Sequence, residues 1–136
     1  MANLIPTAEE RARLTPREVV ERFIPLFYEQ RDARAAFETW VHEDYIQHNP
    51  MAADGRQAAI DAIAPLFERQ SEMRYEVKLV IDQGPYVMIH NWLQRDPGDR
   101  GAAVVDILRV EKGWIVEHWD VLQWIPEESL NDHPMF

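Results

Sequence analysis

The sequence contains no cysteine. No disulfide framework can brace it, no thiolate can act as nucleophile or metal ligand, and thiols say nothing about its redox compartment. Positive charge is scarce: 14 Lys and Arg stand against 24 Asp and Glu, a formal net charge of −10. That balance excludes nucleic acid and anionic membrane surfaces as expected partners, since both need basic patches. No apolar run approaches the roughly 20 residues needed to span a bilayer. The opening MANLIPTAEERARL lacks a basic stretch followed by an apolar one, so it does not read as a signal peptide, and a cytoplasmic location is expected. No glycine-rich phosphate loop is present. The histidines never fall at HxH, HxxxH or HExxH spacing, so no metal site and no cofactor are expected.

What is present is enough for one core. The 136 residues are 46% apolar and 28% charged, which fits one globular domain over 1–136, with an N-terminal arm at 1–14 and a C-terminal tail at 127–136. The arm reads as loose or as a short extra helix. Thr15-Pro16-Arg17-Glu18 is a helix start, with Thr as cap, Pro at the first position and Glu three residues after the cap. Pro25 should kink or split that helix. Asp32 can cap a second helix to about His42, and a third runs from about Arg56 to Ser71. Between them, Glu43 to Pro50 reads as a brief strand and turn. After Ser71 the apolar period changes from 3.6 to 2. Strands are expected at Arg74–Asp82 and Tyr86–Arg95, then at 102–111 and 114–125. Helices before strands predict an α+β fold: a cone-shaped, curved antiparallel β-sheet packed against three N-terminal helices and enclosing a pocket.

The last two strands carry most of the chemistry. A three-residue loop, Glu111-Lys112-Gly113, asks for positive φ only at glycine, whereas a two-residue turn would ask it of Lys112 as well. The longer loop places Val110 opposite Trp114, Asp106 opposite His118 and Val104 opposite Asp120. Opposed residues share a face, as do alternate residues within a strand. Asp106, His118 and Asp120 therefore converge on one face, beside Trp114, Val116, Leu122 and Trp124. Ile115, Trp119, Val121 and Ile125 fall on the other. That second face is too apolar for water, and a homodimer through the sheet is expected.

A carboxylate set among Trp and Leu side chains is poorly hydrated, which makes Asp120 a candidate general base; a buried, hydrogen-bonded Asp is the structural alternative. Asp106 facing His118 can fix the imidazole's tautomer, or simply satisfy it. His48, before Asn49-Pro50, is a candidate donor at a cavity mouth. His90, Tyr45, Trp92, Trp124 and Met88 are the candidate substrate-binding walls. A metal set of His48, His90, His118 and Asp106 has no supporting spacing.

YIQHNP after two helices, DGR opening the third, and DILRVEKGWIVEHWDVLQ near the end resemble the SnoaL-like polyketide cyclases of the nuclear-transport-factor-2-like superfamily. The likeness spans roughly residues 16 to 126, and the tail NDHPMF resembles a subgroup of predicted aldol-condensation enzymes. It implies a lyase or isomerase that closes a ring by aldol chemistry without metal or cofactor, with Asp120 at the acid–base position. Those cyclases carry a histidine where this chain has Asp106, which implies a different proton network. The expected ligand is a small apolar carbonyl compound. Two other readings stand beside this one: a noncatalytic binding or dimerisation module, and a hydratase or hydrolase that activates water between two Asp.

Overall fold

Two threonines start the first helices of the chain. In the computed structural model, which describes residues 5–136, Thr7 and Thr15 each accept a backbone N–H, while Glu10 and Glu18 accept one from the cap in return. Both helix starts have their orphan donors satisfied in this way. The caps open α1 (Ala8–Ala12) and α2 (Pro16–Ile24). Pro25 lacks an N–H to bond back into α2, and the chain widens into a π-helical turn, Pro25–Glu29. The turn is closed by the Gln30 N–H on the Pro25 carbonyl at 2.9 Å, and it carries Tyr28 into the core. Asp32 caps α3 (Ala33–Trp40), and β1 (Val41–Gln47) follows with no loop. Next come α4 (Arg56–Arg69), which runs through Pro65, then β2 (Arg74–Gln83), β3 (Tyr86–Gln94), β4 (Ala102–Glu111) and β5 (Trp114–Trp124).

The α+β arrangement is as expected, but the cone is not. The five strands form an open sheet in the order β1-β5-β4-β3-β2. The edge strands β1 and β2 do not pair, so the sheet neither curls nor closes. It is also mixed rather than antiparallel, because β1 lies parallel to β5. That pairing joins the two ends of the chain, and no turn between them could announce it. The helices cover one face of this sheet. Val19, Val20 and Phe23 of α2 pack there with Val87, Ile89, Leu108, Val110 and Ile115.

The hairpin turn is shorter than expected. Lys112 and Gly113 have φ of 52° and 78°, and Glu111 pairs directly with Trp114, so this is a two-residue turn with both residues left-handed. Such a turn matches strand twist, which offsets the cost of ~1–2 kcal/mol for Lys112. Val110 then pairs with Ile115, but Arg109 pairs with Glu117, so Val116 is an extra residue on β5. The two-residue turn puts Ile115 opposite Val110 on the helix-covered face, where it is fully buried, and the bulge returns His118 and Asp120 to that face. Trp114 instead meets Arg11 of α1.

Arg11 is the reason that the arm is not loose. It is 2% exposed. Its guanidinium lies 3.4 Å from the Trp114 ring centre and 5.2 Å from that of Trp40, and it donates to the carbonyls of Gly113 and Thr39. At the other end, Phe136 stacks on Trp92 at 5.3 Å, so the tail docks on the uncovered face of the sheet.

A methyl group on Gly113 would collide with the Cβ and carbonyl of Arg11, whereas one on Gly84, also at positive φ, would meet nothing within 4 Å. Gly84→Ala should therefore cost only the backbone strain, about 1–2 kcal/mol. Gly113→Ala should cost more by at least about 1 kcal/mol, because overpacking adds to the strain. Urea melts of the two variants check the difference, and equal losses would mean that the Arg11 clasp does not hold the turn.

Candidate functional site

A cavity of about 350 Å³ lies between the helices and the covered face of the sheet. Its wall is chiefly apolar, with Phe23, Phe37, Leu108, Ile115 and Leu122 among its residues. Asp106, His118 and Asp120 break that wall together. Asp106 pairs with Asp120 across β4 and β5, and His118 pairs with Leu108, one step along the same face. The expected register was off by two residues: the short turn shifted it by one and the bulge by another. Two shifts of one restore the side-chain parity, so the three groups still converge.

Their hydrogen bonds differ. Asp106 is the more heavily engaged: Oδ1 lies 2.8 Å from His118 Nε2, while Oδ2 accepts from the Tyr28 hydroxyl at 2.7 Å and the Asn91 amide at 3.0 Å. Among the described residues, Asp120 is met only by the Asn49 side-chain amide, at 3.1 and 2.9 Å from its two oxygens. The first carboxylate is thus held by three protein groups, and the second by one amide alone.

The protonation of His118 follows from its neighbours. Its Nδ1 lies 2.7 Å from Gln47 Oε1. That atom is an oxygen, because the Asn49 backbone N–H also donates to it at 3.0 Å, and a flipped amide would set donor against donor. Nδ1 must therefore carry a proton. Nε2 faces a carboxylate oxygen, and one proton must lie between them. Whichever atom holds it, the Asp106–His118 pair is neutral overall, and Asp120 is left as the free carboxylate of the cluster.

Tyr45 and Tyr75 also line the cavity. Burial, and then the nearby Asp106 charge, push both phenols well above the ordinary tyrosine range; the same causes act on Tyr28, whose hydroxyl bonds to Asp106. All three remain O–H donors at neutral pH.

Other expected site residues lie elsewhere. His48 points to the uncovered face, where its Nε2 is 2.6 Å from Glu117 Oε2 and its ring stacks on Trp119 at 4.6 Å. Glu117, also bound by Arg109 Nε at 2.7 Å, is held below the usual glutamate range, first by His48 and then by Arg109. On β3 the face was reversed. Val87, Ile89 and Asn91 pair with Leu108, Asp106 and Val104 on the covered side, so Met88, His90 and Trp92 turn away from the cavity. Trp124 shares the cavity face but sits at its far end, half exposed beneath the Arg95 guanidinium.

Five polar residues at the site escaped the sequence reading: Tyr28, Gln47, Asn49, Tyr75 and Asn91. Gln47 and Asn49 flank His48, so alternation puts them on the face opposite to it. Asn91 is the one polar residue in the series Val87, Ile89, Asn91 and Leu93, a break as visible as the one on β5. Nothing local marks Tyr28, whose position depends on the π-helical turn.

One ligand atom each from Asp106, His118 and Asp120 lies within 4.8 Å of the others, a spacing that could seat a cation. The residues fit one poorly, since Asp106 and both His118 nitrogens are already engaged with protein groups. The scattered set of His48, His90, His118 and Asp106 is divided between the two faces of the sheet. Among the described residues, no helix is long and apolar enough to cross a membrane.

Comparison with known proteins agrees with this architecture. The family model for the SnoaL-like domain matches residues 20–118. Among solved structures, TsrD from Streptomyces laurentii superposes with a TM-score of 0.64 at 18% identity, covering 81% of this chain and 91% of that one. A SnoaL-like polyketide cyclase from Agrobacterium tumefaciens gives 0.64 at 14%, covering 81% and 92%. An NTF2-like protein of unknown function from Mesorhizobium loti gives 0.66 at 21%, covering 87% and 95%. At such identities the likeness is one of fold. No curated protein matches the chain in sequence.

Proposed function

Since the chain belongs to the SnoaL-like domain family, we propose that it is a cofactor-independent acid–base enzyme acting on a small neutral carbonyl compound. The observation that carries this reading is the contrast between the two aspartates: Asp106 is locked, and Asp120 opens onto an apolar cavity with one amide for support. Asp120 takes a proton from the carbon beside a carbonyl. The electron pair moves to the carbonyl oxygen, and the enolate either attacks a second carbonyl, as in aldol-type cyclisation, or recovers its proton at another carbon. Asp120 then returns the proton. The neutral Asp106–His118 pair keeps a second negative charge away from that base, and the apolar walls exclude the water that would weaken it.

Water activation between two aspartates has less support, because Asp106 already meets three protein groups and shares a proton with His118. A noncatalytic binding module is separated from the enzyme by two variants. Asp120→Asn should lower turnover of a ketone substrate found by screening by at least about 100-fold, with stability near wild type. Asp106→Ala leaves the Tyr28 hydroxyl and His118 Nε2 without a partner and should cost on the order of 3 kcal/mol. Asp120→Asn with undiminished turnover contradicts the acid–base role.

The proposal includes a homodimer through the uncovered sheet face, where Leu79, Ile81 and Val121 are 51%, 47% and 66% exposed. Sedimentation at micromolar concentration should give the dimer mass, and Val121→Glu should shift it toward monomer. A wild-type monomer would remove this part of the proposal.

A further inference from the structure

We propose that Tyr75, assisted by Tyr45, donates the hydrogen bond that holds the substrate's carbonyl oxygen while Asp120 works on the adjacent carbon. This inference rests on the acid–base reading above and names the electrophilic half of the same site.

The starting point is a count of donors in the cavity wall. The Tyr28 hydroxyl is spent on Asp106, the Asn49 amide on Asp120, the Gln47 amide on Tyr45, and the His118 nitrogens on Gln47 and Asp106. Among the O–H groups of the wall, two are left. The Tyr75 hydroxyl makes no hydrogen bond among the described residues. Tyr45 Oη accepts from Gln47 Nε2 at 3.2 Å, which leaves its own proton without an acceptor among them. A polar hydrogen facing an apolar cavity is costly unless something that enters the cavity accepts it.

Tyr75 is well braced for such a role. It pairs with Leu93 at the start of β2, and its ring packs on Phe27 at 5.6 Å, Tyr28 at 5.3 Å and Phe67 at 6.1 Å. The ring cannot swing away without opening that aromatic cluster. Tyr45 stacks on His118 at 6.3 Å, and Tyr75 packs on Tyr28, whose hydroxyl meets Asp106, so the donors lie at the end of the cavity that holds the acids.

The same wall fixes the substrate class. No Lys or Arg lines the cavity. A carboxylate or phosphate would bring a second negative charge beside Asp120 with no cation to balance it. A neutral ketone or ester brings none, and its oxygen becomes negative only as Asp120 takes the proton. Neutral O–H dipoles can stabilise that transient charge without holding it permanently. No oxidant or reductant enters: a C–H bond breaks, an O–H bond forms on Asp120, and the electron pair rests on the enolate oxygen.

The test uses 2-tetralone, a neutral bicyclic ketone, with the full-length protein. Two readouts are taken: the infrared carbonyl frequency of the bound ketone, and exchange of its α-hydrogens in D₂O. Wild type should lower the carbonyl frequency and accelerate exchange. Tyr75→Phe should bind within about threefold of wild type, lose most of the frequency shift and slow exchange by at least about tenfold. Asp120→Asn should keep the frequency shift and lose the exchange. A carbonyl frequency that is unchanged by Tyr75→Phe overturns the tyrosine assignment, and it leaves the acid–base reading intact if Asp120→Asn still abolishes exchange. Undiminished exchange in Asp120→Asn overturns that reading. Failure of wild type to bind 2-tetralone at millimolar concentration overturns the assignment of a neutral ketone to this cavity.

Discussion

The backbone N–H of Asn49 donates to Gln47 Oε1, and the chemistry of the cavity depends on that bond. It fixes which end of the Gln47 amide is oxygen. The oxygen requires a proton on His118 Nδ1, and His118 then shares one further proton with Asp106. Three titratable groups within 4.8 Å would otherwise compete for charge. Pairing two of them around a single proton leaves one carboxylate outside the pair. Asn49 enters twice, since its side chain also holds Asp120.

The fold brings these parts together from distant stretches of chain. Gln47 and Asn49 arrive because β1 lies parallel to β5, with Gln47 beside His118. Tyr28 arrives because a proline widens the end of α2 into a π-helical turn. The hairpin that carries all three titratable groups is clasped at its turn by Arg11, held between two tryptophans and two carbonyls. A cation met in this way needs no carboxylate partner, which suits a chain whose acids are used elsewhere.

Much of this was legible in the sequence. The caps at Thr15 and Asp32, the strands after Ser71 and the convergence of Asp106, His118 and Asp120 all follow from local rules. The last of these survived two compensating errors, a turn one residue too long and a missed bulge at Val116. Parity protected it, because a register error of two moves no side chain to the other face. No such compensation helped β3, where the polar His90 was favoured over the polar Asn91 and the cavity face was reversed. His48 failed for the same reason, being one residue from the inward pair. The open sheet and its parallel edge were not legible, since pairing between chain ends leaves no turn to read. Trp92 follows His90 to the uncovered face, and Trp124 keeps the expected face but lies beyond the acids, at the far end of the strand.

The charge of the whole cluster depends on where protons sit on one imidazole. Nitrogen-15 NMR of His118 in protein labelled at its histidines reads this directly, with Asp106→Asn used to identify the resonance. Nδ1 should carry a proton in the folded protein, and a single proton should be shared between Nε2 and Asp106. A neutral ring with its hydrogen on Nε2 and a bare Nδ1 would contradict that assignment.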